Sequence, residues 1–422
     1  TTPTIDQIAS NGMRFDQARA TAPWTLPSFA TMFTGRYPTR HGAGAEGAVR
    51  NIAEDVPRPM AADIPTLAGT LRKSGYRTAA ITSNPYLSLG PLRDFQDVTN
   101  KTVRADRIGV LARDWIVRES GRRQPWMLWV HFNDPHEPTM ASDTRLRQLG
   151  FGDDILDHPE RTALERWGTE EHNLGDPGIS DEDAAERLRV KRALYDASIL
   201  DADGEIGRIL ETLHRGGELR NTIVVVVSDH GEEFHDHAAL GRVLAQDPRG
   251  VYGIGHGHTL FEEQLRVPLV IMGPGARPGV VIEESISLVD LMPTLLGYLQ
   301  VPAPEGMDGV DRRDWIADDA RVDLPFAAES IAYGPEIKAW FDGRLKLHTD
   351  DLGKPLGLFD VRSDRAELRN LVARVDSMVV AALRQQLLDW NDEALATAPA
   401  RAAPGELTDE MREGLKSLGY VE

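Results

Sequence analysis

Residues 223–227 are one isoleucine and four consecutive valines, and they stop abruptly at Ser228-Asp229-His230-Gly231. An unbroken β-branched run of this length suits a central strand covered on both faces, the situation inside a parallel sheet. Three further runs follow the same plan. They are residues 77–82; residues 126–132, leading into Asn133-Asp134-Pro135-His136; and residues 267–272, closed by Gly273-Pro274-Gly275. Helical periodicity marks residues 4–11, 28–34, 64–74, 104–119, 186–216 and 288–299. Alternation of this kind predicts an α/β chain wound around a mostly parallel sheet. In such sheets ligands gather at the carboxyl ends of strands, so the polar clusters just after the runs are where chemistry is expected.

The texture changes near residue 321. Short alternating runs at 326–332, 338–341, 345–349 and 356–360, then a helix over 376–392, predict a small antiparallel sheet plus helix. The expected division is a catalytic α/β domain over 1–320 and a C-terminal subdomain over 321–422. Residues 140–183, charged and punctuated by Gly and Pro, read as a surface insertion, and 394–404 as a tail linker.

Composition narrows the function classes. A net charge of −19 repels phosphate backbones, so no nucleic-acid partner is expected. No run approaches the ~20 apolar residues that cross a bilayer. The chain has no cysteine, which removes thiolate nucleophiles and thiolate metal sites and leaves His, carboxylate and hydroxyl groups as metal donors.

Three places carry such groups. Asp229 and His230 are adjacent at a strand end, and Gly231 permits the sharp turn that lets both face one cation; the bland alternative is a capping Asp beside a surface His. His235, Asp236 and His237, followed by Gly255-His256-Gly257-His258-Thr259, form a second cluster, suited to a metal or anion site or to a mobile surface loop. Spacing does not choose between His256 and His258. The third place is Pro23-Trp24-Thr25-Leu26-Pro27-Ser28 before a helix. There a hydroxyl could be activated by a cation and the helix amides could receive an anion, or Thr25 or Ser28 could simply be the N-cap.

Taken in order, these pieces resemble the sulfatase family of the alkaline phosphatase superfamily. The resemblance runs from Thr2-Pro3-Thr4-Ile5-Asp6-Gln7-Ile8-Ala9, through Thr34-Gly35-Arg36-Tyr37-Pro38 and Asp134-Pro135-His136-Glu137-Pro138, to Ser228-Asp229-His230-Gly231. It continues over residues 260–268 and 287–296 and ends at Leu358-Phe359-Asp360. It implies an alkaline-phosphatase-like α/β/α sandwich with a smaller C-terminal antiparallel sheet plus helix. The implied activity is metal-dependent hydrolysis of sulfate or phosphate esters, on anionic small-molecule or glycan or lipid ester substrates, with a divalent ion (Ca, Mn or Zn). Residue by residue, Thr25 falls on the nucleophile position and also among the metal ligands, with Asp229 and His230. His136 falls on the histidine that contacts the ester group. His256 is expected to be catalytic and His258 to bind substrate.

Three departures from the family pattern shape the expectation. Sulfate-cleaving members carry Cys or Ser in a Cys/Ser-x-Pro-x-Arg stretch and convert the first residue to formylglycine. Here the stretch is Thr25-Leu26-Pro27-Ser28-Phe29, which supplies neither the aldehyde hydrate nor the arginine. Second, Thr82-Ser83-Asn84-Pro85-Tyr86 stands where many sulfatases have a Gly-Lys-Trp-His stretch, so Asn84 is expected to donate to a phosphoryl oxygen. Third, the family's first strand and its acidic metal-binding pair fall before Thr1, which reads as a fragment. A Thr nucleophile favours phosphodiester or phosphonate chemistry, with phosphotransfer as a related outcome. The alternative is a non-catalytic member that binds anionic glycans or lipids.

Overall fold

The computed structural model describes residues 2–45, 57–139, 141–166, 179–240, 247, 253–314, 323–400, 402–403 and 405–417. Strands Asp97–Asn100, Arg77–Thr82 and Trp126–Val130 form a parallel sheet in that spatial order. A second sheet runs Val224–Val227, Leu269–Met272, Met13–Arg19, Val280–Ser287. In it Met13–Arg19 pairs parallel with Val280–Ser287 and antiparallel with Leu269–Met272. Helices cover both faces. Ala105–Glu119 and Asp181–Arg215 close over Ala79, Ile81 and Leu128, while Thr25–Thr34 sits in the opposite layer with Phe15, Leu67 and Leu291. All ten residues of Thr25–Thr34 are buried, as expected of a helix apolar on every side.

Residues 223–227 do not behave as a strand paired on both edges. Val224–Val227 bonds only to Leu269–Met272 and is half-buried throughout, and Trp126–Val130 bonds only to Arg77–Thr82 and is half-buried as well. Among the described residues nothing pairs with the second edge of either strand, so a β-branched run reported apolarity without reporting position in the sheet. Met13–Arg19 and Val280–Ser287 were concealed for the opposite reason: Arg14, Asp16, Arg19, Glu283 and Glu284 break the apolar run. Gly12 permits the close approach, since a Cβ there would lie 2.3 Å from the Ile271 carbonyl oxygen.

The described part of 140–183 is more ordered than its composition suggests. Helices Asp143–Gln148, Asp153–Leu156 and Arg161–Glu165 bury Leu146, Ile155 and Leu164 against Val190 and Leu194. Helices of one or two turns are too short to show a period. Met140 and residues 167–178 lie outside the described residues. The 35-residue helix Asp181–Arg215 starts at Ser180, whose hydroxyl accepts from Asp183 N–H, and three acidic residues in its first turn suit the helix dipole. From its interior, Asp203 accepts from Thr4 N–H and Ile5 N–H at 3.0 and 2.9 Å, capping helix Pro3–Ser10.

Strands Phe326–Ala328, Ile337–Phe341, Leu345–Asp350 and Pro355–Asp360 form an antiparallel meander, with helix Ser377–Ala396 packed on it. The expected strand over 326–332 stops at Ala328 because the chain turns away at Ser330, which has φ +66°. Residues 394–404 are only partly linker. The helix continues to Ala396, and the chain returns to bury Leu407, Met411 and Leu415 against Trp24 and Tyr86; Arg401 and Pro404 lie outside the described residues.

Candidate active site

Thr25 opens the helix Thr25–Thr34, but it does not cap it. The N-cap position is Trp24, which makes no side-chain capping bond, and the Ser28 hydroxyl donates to the Asp229 carbonyl oxygen at 2.6 Å. Both bland roles are therefore taken away from these hydroxyls. The Thr25 Oγ1 lies 3.3 Å from His230 Nε2. His230 Nδ1–H donates to the Gly231 carbonyl at 2.8 Å, so the ring is in the tautomer whose Nε2 lone pair faces Thr25. The helix is held from behind by His41: its Nε2–H donates to the Pro27 carbonyl at 3.1 Å, and its Nδ1 accepts from Ala43 N–H at 3.1 Å.

Asp229 Oδ2 lies 3.5 Å from His230 Nε2. Burial would raise the Asp229 carboxyl, but His230 and His131 outweigh it and the group is held below the usual carboxylate range. Among the described residues no three His, Asp or Glu side chains come together as a complete metal cage. What the chain does offer is one imidazole nitrogen with a free lone pair, flanked by a carboxylate and a hydroxyl oxygen. That donor set fits one side of a divalent ion of hard or borderline character.

His256 joins this group and His258 does not. The His256 ring lies against His230 at 4.1 Å between centroids and meets His136 at 5.1 Å. Glu232, on the Asp229-His230 turn, reaches His256 Nδ1 at 3.2 Å and so fixes the orientation of that ring; burial raises its carboxyl above the ordinary value. His258 turns the other way. It is 2% exposed, and its Nε2 lies 2.7 Å from Glu233 Oε2 and 3.2 Å from Gln264 Nε2. Gly257, with φ +88°, is what lets neighbouring histidines face opposite sides.

His136 donates from Nδ1 to the Glu137 carbonyl at 2.7 Å, and burial, reinforced by His256, pushes its pKa down to about 3. Asn84 is fully buried after strand Arg77–Thr82. Its Oδ1 accepts from Tyr86 N–H at 3.0 Å, while its Nδ2 has no hydrogen-bond partner among the described residues, an unsatisfied donor in a place where such donors are uncommon. Phe29, at the departed arginine position, packs edge-on against Trp129 at 5.3 Å and His131 at 5.0 Å. Burial pushes His131 down to about 4. The sequence reading passed over Glu232, His131 and Trp24. Of these, Glu232 was within reach as the carboxylate two residues beyond His230.

Residues 1–301 match the family model described as Sulfatase. The choline-sulfatase of Rhizobium meliloti (strain 1021) is 25% identical over 94% of this chain and 83% of its own length. A solved structure described as a complex with its substrate D-glucosamine-2-N,6-O-disulfate superposes with TM-score 0.71 at 19% identity, covering 94% of this chain and 93% of that one. The phosphonate monoester hydrolase from Silicibacter pomeroyi superposes with TM-score 0.67 at 20% identity, covering 97% and 93%.

Proposed function

Because this chain belongs to the sulfatase family, a match carried over residues 1–301, we propose that it is a metal-dependent ester hydrolase whose nucleophile is the Thr25 hydroxyl. The family implies a sulfuric ester hydrolase; the substrate and nucleophile are the proposal. The observation that carries it is the 3.3 Å approach of Thr25 Oγ1 to His230 Nε2, made by a residue at a helix start that leaves capping undone. In this reading residues 1–320 hold the chemistry and 321–422 support it.

Asp229, His230 and Thr25 are the residues that would hold a divalent ion. Such an ion lowers the pKa of a bound hydroxyl and draws charge from ester oxygens. His256, oriented by Glu232, faces the same space and is the group to pass a proton to the leaving oxygen. His136 contacts the ester group as a neutral ring. Asn84 Nδ2 would donate to an ester oxygen, which would give that buried amide the partner it lacks among the described residues. His258 serves at one remove, through the loop it anchors on Glu233.

Threonine bears one oxygen on its nucleophilic carbon, so a sulfated Thr25 has no hemiacetal to collapse. The ester on Thr25 must be hydrolysed by water or passed to an acceptor, and phosphoryl and phosphonyl groups support in-line displacement of that kind. Phosphodiesters and phosphonate monoesters are therefore the favoured substrates, a preference in keeping with the named activity of the Silicibacter pomeroyi structure.

Phe29 favours one second reading. With an aromatic ring where the resemblance expects a cation, the fold could bind anionic glycans or lipids without cleaving them. A panel of aryl sulfate, phosphate monoester, phosphodiester and phosphonate monoester, each with Ca²⁺, Mn²⁺ or Zn²⁺, separates the two. Turnover highest on phosphodiester or phosphonate supports the Thr25 reading. Dominant aryl sulfatase activity overturns the substrate preference, and binding without turnover supports the second reading.

A further inference from the structure

Residues 329–333 leave the C-terminal sheet immediately after Phe326–Ala328 and run between the two loops that lead to the candidate site. On one side Glu329 N–H donates to the Thr21 carbonyl at 2.9 Å, and Trp24 Nε1–H donates to the Ser330 carbonyl at 2.7 Å. On the other side Ala332 N–H and Tyr333 N–H both donate to the Gly257 carbonyl, at 2.7 and 3.0 Å. Trp24 precedes Thr25, and Gly257 follows His256. Five residues of one segment thus hold the residue next to the nucleophile and the residue next to its histidine.

The segment is itself held in an uncommon shape. Ser330 is a non-glycine residue in the left-handed region, at φ +66°, a conformation that persists only when surrounding contacts enforce it. The enforcing contact is Glu336 Oε1, which accepts from Ser330 N–H at 2.6 Å. The reversal at Ser330 lets its carbonyl face Trp24 while the next amides face Gly257. Space around Gly257 is tight as well, since a Cβ there would lie 3.1 Å from Ala332 Cβ and 3.2 Å from the Tyr333 ring.

We propose that residues 329–333 form a clamp that sets the separation of Thr25 and His256, with Trp24 and Glu336 as its positioning residues. The clamp makes the C-terminal sheet part of the site without placing any of its side chains on the substrate. Its catalytic meaning rests on the reading of Thr25 and His256 given above, but its mechanical content does not. Loosening either end of the clamp should free the loop carrying His256, although neither Trp24 nor Glu336 hydrogen-bonds to that loop.

The test uses the full chain and three variants. Trp24→Phe removes the indole donor, Glu336→Leu removes the acceptor at Ser330, and Glu336→Gln keeps an acceptor there. Amide hydrogen exchange over residues 255–261 is measured together with kcat and KM on the best substrate of the ester panel. Trp24→Phe and Glu336→Leu should each raise exchange in 255–261 at least tenfold and lower kcat at least tenfold with KM within threefold, and Glu336→Gln should restore both. Exchange in 255–261 unchanged in a folded Trp24→Phe variant overturns the clamp, as does a loss in Glu336→Gln equal to that in Glu336→Leu. Should the wild-type chain cleave none of the esters, the functional reading fails while the exchange measurement still decides the clamp.

Discussion

Thr25 and Asp229 are the two residues on which the functional reading turns, and both are testable one side chain at a time. Thr25 makes no capping bond, so Thr25→Ala should cost less than the ~1 kcal/mol of a lost helix cap while turnover falls at least ~10²-fold. Melting temperature and turnover measured on the same preparation check this, and turnover surviving intact would remove Thr25 from the chemistry. Asp229→Ala should abolish metal-stimulated turnover and leave a folded chain, seen by comparing activity with and without added divalent ion and by circular dichroism. At this scale the sequence was informative wherever a residue announces itself by type. Thr25, Asp229, His230, His136 and His256 come together from four separate stretches of chain. What it could not decide was direction: His256 and His258 are alike in the sequence, and only the backbone turn at Gly257 separates a ring facing His230 from one sealed against Glu233.

The helix Thr25–Thr34 depends on a buried histidine, and that makes its stability sensitive to acid. Burial pushes His41 down to about 3, outweighing the opposing pull of Glu329. Between that value and the ordinary 6.5, only the unfolded chain takes up the proton. The contribution is therefore complete above about pH 6.5 and is lost as pH falls toward 3, at about 1.4 kcal/mol per pH unit. Urea unfolding at pH 7, 5.5 and 4 should show His41→Gln less stable than wild type at pH 7 but losing stability less steeply on acidification; parallel declines would contradict this. Most elements were legible because long periodic or β-branched stretches bury one consistent face, as in Ala105–Glu119 and Arg77–Thr82. Met13–Arg19 was hidden because its charges interrupt the apolar pattern in two ways: Arg14 pairs with Asp16 two residues along the strand, while buried Arg19 pairs with Glu262, 243 positions away.

That pair belongs to a buried network that ties the sheet containing Met13–Arg19 to the C-terminal meander. Lys346, on a C-terminal strand, donates to Glu262 and to Glu367, each within 3.2 Å, and His348 faces Glu367 at 3.4 Å. Burial opposes ionisation of Glu262, but Lys346 and Arg19 prevail and hold it well below the usual range. Removing Lys346 leaves Glu262 to Arg19 alone and takes from buried Glu367 its lysine, so Lys346→Met should destabilise by about 3–5 kcal/mol. Calorimetry should show both sheets melting in one transition; a separate early transition for residues beyond 321 would contradict that coupling. The half-paired strands Trp126–Val130 and Val224–Val227 have a different consequence, in how molecules of this chain meet each other. An edge left unpaired among the described residues is a template for a neighbour's backbone, and the net charge of −19 opposes that approach. Salt weakens that repulsion once the screening length falls to ~10 Å near 0.1 M and shortens further. Light scattering should therefore report association that grows with ionic strength, the reverse of what attraction between opposite charges would give.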